Sequence, residues 1–211
     1  MRRLTVSLAA GLAVCLAAAS GFGATTIDQI RVRGDNTSAE FDLFNPFTCA
    51  DGVSSGGLAT QILVFAFSSA NKTSGPPTTS KQLEVVLFST DTCTGETHAA
   101  FSNTQNPDFQ QNAVNHATLN ADVTLQDNDT GAPLGTVHLA LAFDGSGDVL
   151  RTHEHNHTQF GRSMVNETLD VQMRSATLSG AATFNGVNLL PFAQNVDLQT
   201  QSTGELQLTR M

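Results

Sequence analysis

The chain has 211 residues, a formal net charge of −9, and thirteen Phe but no Trp or Tyr. Its only lysines are Lys72 and Lys81 and its arginines are scattered, which argues against a nucleic-acid partner because no basic cluster is present to neutralise phosphates. The missing indole and phenol rings argue against sugar recognition, which favours amphipathic aromatic plates.

The N-terminus opens with Arg2 and Arg3, continues through an apolar stretch from Leu4 to Ala19, and turns to small residues from Ser20 to Ala24. That layout reads as a secretory signal peptide over residues 1–24, leaving 25–211 as a single mature domain. No later stretch approaches the ~20 apolar residues of a membrane-spanning helix, so no integral membrane segment is expected. The expected location is secreted or periplasmic. Cys15 leaves with the signal, and the remaining Cys49 and Cys93 are expected to pair in an oxidising compartment.

Strands are read at about Ile27–Arg33, Ser38–Phe44, Ala59–Ser68, Lys81–Thr90 and Thr97–Ser102. Ala59–Ser68 and Lys81–Thr90 carry apolar residues at successive positions, which predicts burial on both faces at the centre of a sheet. From Ala117 to Leu125 the odd positions are apolar and the even ones polar, the pattern of a half-buried strand. The turn residues Asp127–Gly131 then lead to Val137, Leu139, Leu141 and Phe143 on one face, which predicts a β-hairpin with His138 on the opposite, outward face. In Glu167–Phe184 the apolar positions are odd up to Met173 and even from Ala176. That change of parity near Ser175 predicts a bulge or a strand passing between sheets. Gln194–Leu198 and Gly204–Thr209 close the series, and Asn71–Thr79 and Asn103–Asn112 read as loops rich in turn residues. The expected fold is all-β: an antiparallel β-sandwich, jelly-roll or Ig-like, with about 8–10 strands.

The residues with most chemical potential are His153-Glu154-His155-Asn156-His157. On a helix, His153, Glu154 and His157 spell the H-E-x-x-H zinc-hydrolase pattern. On a strand, His153, His155 and His157 share one face at successive spacings of about 7 Å, as a candidate zinc or copper site. The preceding Gly145-Ser146-Gly147-Asp148 and the poor helix formers Thr152, Asn156 and Thr158 favour the extended form. A row of three would need a further ligand, with His98, His116 or His138 as candidates. Asp127–Gly131 and Asp144–Asp148 gather oxygen ligands as calcium loops do, though Asn, Asp and Gly are also what tight turns require.

No catalytic residue is assigned, because the chain lacks a G-x-S-x-G elbow and its two mature cysteines are expected to be oxidised. The expected function is a non-catalytic binding or surface-display module with a protein or small-ligand partner. The alternatives are a zinc- or copper-binding protein, a metal-dependent hydrolase built on the histidine run, or a structural or adhesive surface protein.

Overall fold

A computed structural model describes residues 31–72, 76–160 and 163–203. The expected signal peptide and the expected strand Gly204–Thr209 lie outside the described residues. In chain order the strands are β1 (Arg31–Thr48), β2 (Ser55–Lys72), β3 (Thr78–Asp91), β4 (Thr97–Gln105), β5 (Asp108–Asn112) and β6 (His116–Gln126). They continue with β7 (Pro133–Gly145), β8 (Leu150–Phe160), β9 (Ser163–Phe184), β10 (Val187–Asn188) and β11 (Ala193–Thr203), with a single 3-10 turn at Leu190–Phe192 before the last.

The strand order is β4-β3-β2-β1-β11-β9-β7-β6-β5, with β8 and β10 also paired to β9. Every pairing is antiparallel. β1 to β4 form one meander and β5 to β7 another, so most strands pair with their sequence neighbours. β9 joins the halves. Up to Ser175 it pairs with β11 and β8, and from Ala176 onward with β7 and β10. The position where apolar parity changes in the sequence is therefore where the strand leaves one sheet for the other.

The two layers meet in one apolar core. Phe41, Ile62, Val85 and Leu87 from the first meander belong to the same buried cluster as Phe109, Leu119 and Phe143 from the second. Period-two alternation produces this: Thr37, Ala39, Phe41 and Leu43 of β1 are buried while the residues between them are more exposed. Near one end the layers are also latched together. Ala100 of β4 forms an isolated bridge with Asp127, and the Asn128 N–H donates to the Ala99 carbonyl at 2.9 Å.

Three local expectations are corrected. Ile27–Arg33 and Ser38–Phe44 are not separate strands over the described residues: Arg31–Thr48 is continuous, because β2 pairs with it along its whole length and carries Gly34–Asn36 through. Residues Asp108–Asn112, read as loop, form the short strand β5, which buries Phe109. Finally, β2 and β3 are buried on one face only. Ile62, Val64 and Ala66 are enclosed, but Leu63, Phe65 and Phe67 are half-buried, and Phe88 of β3 is exposed. A sandwich of two layers has one interior, and none of the described residues forms a third layer over this side.

Cys49 and Cys93 form a disulfide with a Cα–Cα distance of 5.7 Å. It ties the β1–β2 turn to the β3–β4 turn. Gly56 sits against it: a Cβ there would lie 2.1 Å from Cys93 Sγ and 2.7 Å from Cys49 Sγ, so only glycine leaves room for the bridge.

Candidate functional site

The histidine run is extended. Leu150–Phe160 is β8, which pairs with β9 in the register His153↔Asp170, His155↔Thr168 and His157↔Asn166. Alternation therefore puts the three imidazoles on one face and Glu154 on the other. The helical convergence that H-E-x-x-H requires is absent, because the chain context that disfavours helix at the sequence level holds in the fold. All residues from Arg151 to Gln159 are exposed.

Two of the rings are oriented by the neighbouring strand. His153 Nδ1 lies 2.5 Å from Asp170 Oδ1, and His157 Nδ1 lies 2.6 Å from Asn166 Oδ1. A carboxylate and an amide carbonyl can only accept, so in each ring Nδ1 carries the proton and donates it. In the neutral ring Nε2 is then the nitrogen that carries the lone pair. The histidines considered as further ligands lie elsewhere. His116 Nδ1 faces Asp144 at 2.8 Å and His138 Nδ1 faces Asp122 at 2.7 Å, both directly opposite their partners across the β6–β7 ladder. His138 is on the outward face, as its parity implies. His98 Nδ1 faces Asp127 Oδ2 at 2.9 Å. Among the described residues, no three His, Cys, Asp or Glu side chains come together as a metal-binding group.

The two acidic turns are held by the protein itself. Asp127 is buried, and its Oδ1 accepts from the N–H groups of Asp129 and Thr130 and from the Thr130 hydroxyl. The backbone N–H of Thr130, then the His98 ring and the Thr130 hydroxyl, hold its carboxyl down at about 2 against the opposing effect of burial. Asp144 is engaged by His116, and Ser146 donates its N–H to the Ser175 carbonyl. In this structure both carboxylates are engaged by donors of the protein itself, and the two loops act as turns and cross-strand ties.

A second surface was not expected. On the outer face of the first sheet, register aligns Phe101, Val86 and Leu63 across β4, β3 and β2, with Phe65, Phe67 and Phe88 beside them. Phe101 is 51% and Phe88 42% exposed. The Phe65 and Phe67 rings stack at a centroid distance of 6.4 Å. Along this face stand Glu40, Asp42 and Glu84, and Gln61 Nε2 donates to Glu40 Oε1 at 2.5 Å. No Lys or Arg occupies an outward position on this stretch of β1 to β4. An open depression of about 320 Å³ lies here, with Asp42, Gln61, Phe88 and Thr90 in its wall. The signal was present in the sequence as apolar residues at successive positions of β2 and β3. Such a pattern predicts double burial, but sequence alone does not tell whether a second apolar face is covered.

No protein-family model, curated protein or solved structure matches this chain.

Proposed function

We propose that the protein is an exported, non-catalytic binding module whose contact surface is the outer face of β1 to β4, and that it captures a protein segment presenting apolar side chains with positive charge. The observation that carries this reading is an aromatic and aliphatic strip fringed by carboxylates and lacking cations. Exposed apolar patches of this kind are uncommon on monomeric proteins and mark contact surfaces. Carboxylates at the rim add selectivity and on-rate for a basic partner more than they add affinity. Export is supported by the signal-like N-terminus and by the disulfide.

The reading is tested with two synthetic peptides of one length, alternating Leu with Lys or Leu with Glu, titrated calorimetrically into the disulfide-bonded protein. The Lys peptide is expected to bind, with affinity falling as salt rises. A Phe88→Ser/Phe101→Ser variant should weaken it by about 1–3 kcal/mol, the scale of burying large apolar side chains. Equal binding of the two peptides, or unchanged binding to the variant, would refute the proposal.

A further inference from the structure

Among the described residues β8 pairs with one strand. β9 pairs with it from Leu150 to Phe160 along one edge, and among the described residues no strand pairs with its other edge. Among the described residues the stretch from Leu150 to Thr158 therefore has a strand edge without a strand partner, the usual template for pairing with another strand. On one face of that edge stand His153, His155 and His157. Nδ1 of the first is committed to Asp170 and Nδ1 of the last to Asn166, leaving each Nε2 lone pair free of those bonds. An imidazole whose far nitrogen donates to a carboxylate is the arrangement that orients histidine for a metal ion.

The row is incomplete by itself. Histidines two residues apart on a strand stand about 7 Å from one another, so a single row brings at most two rings to one ion. Zinc takes three or four protein ligands, and no third ligand is present within the described chain. A second histidine row facing this one across the open edge would complete the set.

We propose that two copies of this chain pair through β8, antiparallel about a two-fold axis at His155, and that the paired histidine rows bind zinc between them. That register sets His155 opposite the partner's His155, and His153 opposite the partner's His157. A two-fold axis normal to the sheet keeps all six imidazoles on one face. Directly opposed Cβ atoms in such a ladder are about 4.5–5.5 Å apart, so a cross-strand pair and one flanking histidine reach a common ion. Two symmetry-related sites use all six rings. The remaining pairs are compatible with the same register: Glu154 meets the partner's Asn156 on the opposite face, and Arg151 meets the partner's Gln159 at the ends of the histidine face, so no like charges stand directly opposed. A chain of net charge −9 repels its copy, and the bound cations offset that repulsion at the contact. Zinc is therefore required for the pairing and is not merely an addition to it.

The test uses the untagged, disulfide-bonded protein, stripped with EDTA and then titrated with zinc, with mass read by sedimentation velocity and metal by calorimetry. The expected result is a monomer without metal and a dimer with it, at about one zinc per chain, with three imidazoles at each ion. His155→Ala should abolish the dimer, while His116→Ala, which removes an exposed histidine elsewhere, should leave it intact. Asp170→Asn should weaken zinc about tenfold or more by loosening the His153 ring. Register is read by charge: Asn156→Glu sets a carboxylate against the partner's Glu154 and should shift the zinc midpoint for dimerisation upward about tenfold, and adding Glu154→Lys should restore it. Zinc bound with unchanged mass would overturn the proposal. So would dimerisation that ignores EDTA or His155→Ala, or an Asn156→Glu variant that dimerises like the wild type.

Discussion

The Asp127 carboxylate accepts hydrogen bonds from Thr130 and Asp129 on one oxygen and faces the His98 ring with the other. One side chain thus shapes the β6–β7 turn and ties that turn to β4 of the opposite meander. Its pKa is lowered to about 2 from 3.8. A carboxylate depressed in the folded state contributes stability that is fully present above its unfolded value and is lost as the pH falls through its folded value. Stability should therefore decline between about pH 4 and pH 2. Asp127→Asn should lower stability at neutral pH and flatten that decline, as measured by urea midpoints across the window. Asp51, held low by the Ser54 hydroxyl and the N–H groups of Val53 and Ser54, contributes in the same direction, so the flattening is partial. An Asn variant with the wild-type pH profile would show that Asp127 is not a principal source of acid sensitivity. The sequence marked Asp127–Gly131 as a turn, because short oxygen-bearing side chains close turns locally. It did not show His98 as the partner, since a contact spanning 29 positions leaves no local pattern.

At the scale of elements, alternation made most strands legible, because one buried face repeats every second residue. It also placed the strand that changes sheets, but the cause of the parity change differs from a bulge. Leu198 of β11 is fully buried and opposite Arg174, so the even positions of β9 face inward before Ser175. They also face inward after it, where Leu178 is paired with the buried Phe143. The strand keeps its inner side throughout. What changes is that Leu169, Val171 and Met173 are apolar residues on the outer face, with Met173 41% exposed. Neither outward apolar strip is legible in the sequence for one reason: an apolar side chain carries no mark of whether its face is covered. The distinction is measurable in stability. Phe41→Ala or Phe143→Ala, both fully buried, should cost about 3–5 kcal/mol. Phe101→Ser should change stability by no more than about 0.5 kcal/mol, as exposed sites do. A large loss at Phe101 in chemical denaturation would mean that this face is covered rather than offered.

For the molecule as a whole, the order of strands makes the disulfide more than a local clasp. β1 to β4 pair as successive hairpins, and the cross-link joins the turn after β1 to the turn after β3 across a separation of 44 residues. Closing a loop of that size restricts the unfolded chain by about 4 kcal/mol on the chain-entropy account. The folded first meander places the two cysteines side by side and leaves no Cβ at Gly56 to obstruct them. Cys49→Ser should therefore lower Tm by roughly 8–16 °C, taking about 2–4 °C per kcal/mol for a chain of this size. The contrast that isolates the cause is redox. Under reducing conditions wild type and variant should melt together, because both then lack the constraint, and under oxidising conditions they should separate. Gly56→Ala provides an independent arm, since it keeps both thiols but puts a methyl where the sulfurs lie, and it should leave free thiol detectable in the oxidised protein. Equal melting of wild type and Cys49→Ser under oxidising conditions would remove the cross-link from the account of stability, leaving strand pairing within the first meander and the shared apolar core to hold β1 to β4 in place.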